Sequence, residues 1–138
     1  RALAPPELAL TPIQSVYVGL NDLRISRNSR SIFDAVIDGT VANLRETFRD
    51  IRFGFGGLTV LDRGYPIPCR RFLEELARVG ADFTFLRRSF KKDIQSRNMS
   101  EELSRLREER ERLETRSSGE VQADFDRFRS DVSRAFPE

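Results

Sequence analysis

The sequence predicts an α/β fold built from parallel βαβ units. Three short segments rich in β-branched and aromatic residues, at 15–20, 51–60 and 81–89, alternate with stretches whose apolar residues recur every three or four positions. Strands and helices that alternate in this way pair in parallel through right-handed crossovers. Three strands are too few for a complete doubly wound sheet or a closed barrel, so we expect an open sheet edge and a chain that is part of a larger structure.

The first strand, "SVYVGL" (15–20), is followed by a polar segment that we predict to be a loop. Asn21 and Asp22 stand at its entrance, at the carboxyl end of the strand, where parallel α/β folds bind their ligands. The same reasoning selects residues after the other two strands: Gly56, Gly57, Arg87, Arg88 and Ser89. Asn and Asp also cap turns, so the turn interpretation stays open beside the site interpretation.

Two helices are predicted between the strands. The apolar positions from Ile32 to Phe48 share one helical face, and Asp38 in "DGT" is a candidate second N-cap that breaks this helix. Pro68 suits the first turn of the next helix, whose apolar face ends at Gly80. The strand between them, "IRFGFGGLTV" (51–60), alternates Phe with Gly, which permits close approach of the backbone.

Beyond residue 97 the sequence becomes densely charged, and we divide the chain into a unit at 1–97 and charged amphipathic helices at 98–138. The first helix has a thin leucine seam, with Asn98 or Ser100 as its cap. The second has an apolar stripe formed by Val121, Phe125, Phe128, Val132 and Phe136. Two interpretations remain open for this region: a solvated helix held by salt bridges, or a helix that packs on another subunit.

Composition excludes several function classes. The chain has no histidine, which removes Ser-His-Asp triads, Cys-His pairs and imidazole zinc sites. A net charge of +2 is too small to indicate nucleic acid or an anionic membrane as a partner, and no apolar run approaches the length of a membrane span. The single cysteine, Cys69, cannot form an internal disulfide and fits a reducing, cytoplasmic setting.

The segments "VYVGLNDLRIS", "FGFGGL" and "GADFTFLRRSF", in this order and at this spacing, resemble the last third of the aldolase/citrate lyase β-subunit family, the HpcH/HpaI type. The resemblance covers about residues 13 to 95. It implies the C-terminal portion, about three βα units, of a TIM (β/α)₈ barrel, followed by one or two C-terminal helices. It also implies a carbon–carbon lyase or aldolase that uses Mg²⁺ or another divalent cation and acts on an oxo acid or an acyl-CoA.

On this resemblance, Asp22 matches the family's metal-ligand aspartate, while Asn21, Gly56, Gly57 and Arg87 line the substrate pocket. A hard cation prefers carboxylate oxygens, which agrees with Asp22. The family's second metal ligand and its substrate-binding arginine lie on earlier strands, so an isolated chain of this extent is expected to be inactive. The family's C-terminal helix commonly packs on a neighbouring subunit, which implies a homo-oligomer.

The segment after Asp22 departs from the family pattern. Arg24 and Arg27 stand where small apolar residues are often found. They either favour an anionic group or are simply solvated, and both interpretations remain open.

Two other hypotheses stand beside the enzyme. One is a non-catalytic interaction or oligomerisation module that binds a partner through the C-terminal helices. The other is an incomplete gene product without a function of its own. The coding sequence upstream of Arg1 distinguishes them, since the enzyme hypothesis expects five more βα units there.

Overall fold

The structure, a computed structural model, describes residues 14–137. Its elements in chain order are β1 (Ser15–Val18), α1 (Leu20–Arg27), α2 (Asp34–Ile37), α3 (Thr40–Thr47), β2 (Arg52–Leu58), α4 (Cys69–Val79), β3 (Phe83–Leu86), α5 (Phe90–Asp93), α6 (Met99–Leu113) and α7 (Ser118–Ala135). The three strands form one parallel sheet in the order β1-β2-β3, which confirms the predicted α/β class. The outer parts of the two predicted units, residues 1–13 and 138, lie outside the described residues.

The central strand β2 has one face toward the helices and one face away from them. Phe53 and Phe55 are fully buried on the helical side. Gly54 lies on the other side, opposite Tyr17 of β1 and Phe83 of β3. A Cβ on Gly54 would stand 2.4 Å from the carbonyl oxygen of Phe83, so only glycine permits this approach of β2 to β3.

Helix α4 is the centre of the helical layer. It begins after Pro68 and ends at Gly80, whose φ of 85° suits glycine, as the sequence predicts. Phe72 of α4 contacts Phe55 of β2 edge to face, with ring centroids 5.8 Å apart. Phe72 also lies 6.4 Å from the ring of Phe128 in α7, so one aromatic cluster joins the sheet to the last helix.

The two charged C-terminal helices pack on this same core. Asn98 caps α6 by accepting a hydrogen bond from the backbone N–H of Glu101, and Ser117 with Glu120 forms a capping box on α7. Many arginines of these helices pair with acids three or four residues away, as expected for a salt-bridged surface.

The apolar stripe of α7 is covered within its own chain. Phe128 is fully buried, and the ring of Phe136 lies 6.1 Å from that of Phe33. The guanidinium of Arg78 stacks 4.1 Å above the ring of Phe125. Covering this stripe therefore requires no second subunit, and the homo-oligomer stays a prediction.

One element differs from the prediction: the segment after β1 is the helix α1, and the predicted polar loop is wrong. The helix begins at once, with the backbone N–H of Leu23 donating to the carbonyl oxygen of Gly19 at 3.0 Å. It ends at Asn28, which has a left-handed backbone with φ of 54°. Asp22 in the first turn favours the helix through its dipole. The predicted break of the helix from Ile32 to Phe48 is confirmed, but its second N-cap is Gly39 and not Asp38. Asp38 ends α2, and its carboxylate accepts the backbone N–H of Thr40 at 3.0 Å.

Candidate functional site

A cavity of about 250 Å³ lies at the carboxyl end of the sheet. Its lining includes all four residues that the sequence predicts for a substrate pocket: Asn21, Gly56, Gly57 and Arg87. The remaining lining residues are mainly apolar: Tyr17, Leu20, Ile32, Phe33, Phe72, Phe85 and Leu86. The structure thus brings residues from all three strand ends to one cavity.

Glycine at position 56 determines the shape of one cavity wall. Its φ of 66° lies in the left-handed region, and the register between β2 and β3 is irregular at this point. A Cβ there would stand 2.3 Å from Cζ of Phe72, which is far inside van der Waals contact. The cavity and the packing of Phe72 therefore both depend on the absence of a side chain at Gly56.

Tyr17 places a hydroxyl group beside this wall. The hydroxyl donates to the carbonyl oxygen of Gly56 at 2.5 Å. Burial, and next the negative charge of Asp22, raise the pKa of Tyr17 above its usual value. The phenol therefore stays protonated at neutral pH and keeps its hydrogen bond to Gly56.

Arg87 supplies the positive charge of the cavity. It follows β3 directly, and its backbone N–H donates to the carbonyl oxygen of Leu58 at 2.7 Å, which holds the residue at the sheet end. Its side-chain Nε atom is buried and has no hydrogen-bond partner within residues 14–137. A buried cationic donor without a partner is costly, and residues 14–137 provide no acceptor for this atom.

Asp22, the predicted metal ligand, lies beside the cavity and is not part of its lining. Its side chain is exposed in the first turn of α1, with Oδ2 close to Gly19. Across residues 14–137, no group of three or more Asp, Glu, Cys or His side chains converges to hold a metal ion. Mg²⁺ requires near-octahedral oxygen coordination, so the described residues do not by themselves form a magnesium site.

Arg24 and Arg27 are engaged by neighbouring side chains. Arg24 donates to the side-chain oxygen of Asn21 at 3.3 Å. Arg27 forms a 2.5 Å ion pair with Asp38 and a hydrogen bond to Thr40. Neither lines the cavity, so Arg87 is the cation that faces it.

Sequence reasoning missed Tyr17 and Phe85 as cavity residues. It assigned both to strands without a role at the cavity, and in the structure Tyr17 is 39% exposed and Phe85 is 54% exposed. Their rings lie 4.5 Å apart on the sheet face that the helices leave open. Side chains of a strand alternate between its two faces. Because Val16 and Val18 pack on the core, Tyr17 between them must lie on the opposite face, and this pattern was the available signal.

A second cavity, of about 300 Å³, lies between α4, β3 and α6 and is less suited to chemistry. Leucines form much of its lining, at positions 58, 73, 76 and 106. Arg110 at its rim already donates to Glu114 and to the carbonyl oxygen of Ala81. The cavity at the strand ends, with the unpartnered Nε of Arg87, is the stronger candidate.

No protein-family model, curated protein or solved structure matches the chain. None of the helices between residues 14 and 137 has both the length and the apolar character needed to cross a membrane.

Proposed function

We propose that this chain is the C-terminal part of a (β/α)₈ barrel of the HpcH/HpaI aldolase/citrate lyase β-subunit type. In this proposal the complete enzyme is a Mg²⁺-dependent carbon–carbon lyase or aldolase that acts on an oxo acid or an acyl-CoA. The observation that carries the proposal is the cavity at the carboxyl ends of three parallel strands, with Arg87 and the two glycines in its lining. This end of a parallel sheet is where barrel enzymes assemble their active sites.

The uncovered face of the sheet supports the barrel part of the proposal. Tyr17, Phe83 and Phe85 share this face, and Phe83 and Phe85 have ring centroids 5.8 Å apart. Within the described residues, β1 and β3 each pair only with β2, so the sheet is open at both edges. In a closed barrel, such large side chains fill the interior and both edges are paired.

The chemistry of the cavity suits an oxo acid. The unpartnered Nε–H of Arg87 is a charge-assisted donor for the substrate's carboxylate. The hydroxyl of Tyr17 donates its one hydrogen to the carbonyl oxygen of Gly56, so its oxygen remains as an acceptor for a hydroxyl group of the substrate. Apolar walls formed by Phe33, Phe72 and their neighbours limit the access of water, which strengthens these polar interactions.

The magnesium part of the proposal rests on Asp22. Mg²⁺ is commonly held by one or two carboxylates together with waters and substrate oxygens, so Asp22 supplies one ligand and the others come from polypeptide outside residues 14–137. When bound, the ion polarises a substrate oxygen as a Lewis acid. The chain's own contribution is to orient the acid group through Arg87 and to keep the pocket apolar.

The alternative is a non-catalytic module that binds a partner through the C-terminal helices. It has less support, because the apolar stripe of α7 is already covered by α4 and by Phe33 of the same chain.

The experiment measures cleavage of a panel of oxo acids and acyl-CoA thioesters, in the presence of Mg²⁺, by the protein expressed from its complete reading frame. Asp22→Asn is expected to lower cleavage by more than about 100-fold, since even outer-shell partners of a metal are worth 10- to 100-fold. Asp50→Asn is the matched control, because Asp50 is exposed and its side chain forms no hydrogen bond or ion pair with residues 14–137. Equal activity of the two variants would reject Asp22 as a ligand.

A further inference from the structure

The cavity at the strand ends offers a ligand more apolar than polar surface. Beside Arg87, Leu86 is 47% exposed and Phe85 is 54% exposed, and both line the cavity. The ring of Tyr17 extends this surface, since it lies 4.5 Å from the ring of Phe85. Exposed apolar groups that adjoin one another and line a cavity are typical of ligand sites.

A second part of the lining belongs to the hydrophobic core. Leu20, Phe33 and Phe72 are each at most 5% exposed, and Ile32 packs against the same core. Close packing holds these side chains in place from behind. This part of the cavity is therefore formed before a ligand arrives, which reduces the cost of binding.

Few polar groups of the described chain are left in the cavity to meet a polar substrate. The side-chain oxygen of Asn21 accepts from Arg24 at 3.3 Å, and the hydroxyl of Tyr17 donates to Gly56. Among residues 14–137, Arg87 is the only charged side chain in the lining. These residues can therefore receive one acid group but offer no second cation, and a charge buried without a partner is costly.

The volume of the cavity limits the size of the apolar group that it can hold. An engineered cavity of about 150 Å³, lined by Leu, Ile and Phe, admits benzene. The cavity at the strand ends measures about 250 Å³ and has the same three residue types in its lining. It therefore has room for an acid group together with an apolar group of about four to six carbon atoms.

We propose that this cavity selects oxo acids with an apolar side chain over oxo acids with a second carboxylate. Arg87 receives the acid group, while Phe85, Leu86 and Ile32 contact the side chain. The inference rests on the proposed function for the oxo acid and adds that its side chain is branched aliphatic or aromatic. A second carboxylate in the same place would lose its water without gaining a partner among residues 14–137.

Nuclear magnetic resonance titration of the full chain in EDTA tests this preference without any contribution from magnesium. The matched probes are α-ketoisocaproate and α-ketoglutarate, whose side chains are similar in size but end in two methyl groups and in a carboxylate, respectively. Pyruvate supplies the acid group with only a methyl group. We expect α-ketoisocaproate to bind at least about tenfold more tightly than either of the other acids. Equal affinities, tighter binding of α-ketoglutarate, or no binding would overturn the inference.

Phe85→Ala removes part of the exposed apolar lining and is expected to weaken binding of α-ketoisocaproate by about tenfold. Met99→Ala is the matched control, because Met99 is 52% exposed and does not line the cavity. Leu86→Ala is the second variant if circular dichroism shows that Phe85→Ala does not fold. Equal affinities of the cavity variant and the control would mean that the acid binds elsewhere, and would also overturn the inference.

The side-chain preference and the proposed lyase activity fail separately. If the three acids bind equally while the Nε–H signal of Arg87 still responds, the apolar preference is wrong and the acid site remains. If Asp22→Asn and Asp50→Asn cleave equally well, the metal ligand is wrong, and the affinities measured in EDTA are unaffected.

Discussion

Gly56→Ala tests the cavity wall most selectively, because Gly39 offers a matched comparison. Both glycines have positive φ, 66° at Gly56 and 91° at Gly39. They differ in the space around them. A Cβ on Gly56 would overlap the ring of Phe72 at 2.3 Å, whereas a Cβ on Gly39 would meet nothing within 4 Å.

The expected loss of stability has two parts, the cost of a left-handed backbone and the cost of overpacking against Phe72. A left-handed backbone costs an L-residue about 1–2 kcal/mol, and both variants share this cost. Overpacking against Phe72 adds about 1–3 kcal/mol to Gly56→Ala alone. The free energy of unfolding should therefore be lower for Gly56→Ala than for Gly39→Ala by about 1–3 kcal/mol.

Urea denaturation followed by circular dichroism measures the difference, with the slope of each transition checked for a common unfolded state. Repeating Gly56→Ala in a Phe72→Leu background removes the end of the ring and should reduce the extra penalty. Equal stabilities for Gly56→Ala and Gly39→Ala would refute the packing of Phe72 against this wall.

Three further variants test the core, the charges and the caps. Burial raises the pKa of Glu75, so the folded chain keeps this proton to higher pH than the unfolded chain, and the free energy of unfolding falls as pH rises from the ordinary carboxyl range to the raised pKa. Urea titrations across that range should show a flatter profile for Glu75→Gln, and an unchanged slope would contradict the assignment. Phe128→Ala empties the centre of the aromatic cluster and should cost about 3–5 kcal/mol in the same assay, whereas a loss typical of a surface position would show that α7 does not pack there. Ser117→Ala removes the capping box and should cost about 1 kcal/mol, so a stability equal to that of the native chain would argue against the cap.

The main features of the fold could be predicted because each depends on a local pattern. The three strands show β-branched and aromatic enrichment, and α4 has both a Pro68 start and a Gly80 stop. The segment at α1 was assigned to a loop because its polar side chains dominate the pattern. Only Leu20 and Leu23 mark its inner face, and a pair of apolar residues is a weak periodic signal.

The covering of α7 was harder to predict, because it depends on contacts distant in sequence. The spacing of Phe125 and Phe128 predicts an apolar stripe but does not identify its partner. In the structure that partner is formed by Phe33, Phe72 and Arg78, all from the first unit of the chain. Tertiary packing of this kind leaves no local trace in the sequence.

The candidate site could be predicted in part. The rule that ligands bind at the carboxyl ends of parallel strands selects seven positions, and four of them line one cavity. Asp22, Arg88 and Ser89 do not line it. The role of Tyr17 was not predictable, since its hydrogen bond to Gly56 depends on an irregular register between β2 and β3. The position of Asp22 beside the cavity follows from α1, which the sequence had not indicated.

Nuclear magnetic resonance of the full chain with oxalate, a stable analogue of an oxo acid, tests most directly whether the cavity receives an acid group through Arg87. The proposed function predicts that oxalate shifts the Nε–H signal of Arg87 and the amide signals of Gly56 and Gly57, and that Arg87→Gln abolishes the effect. Binding that leaves the Arg87 signal unchanged, or no binding at all, would contradict it.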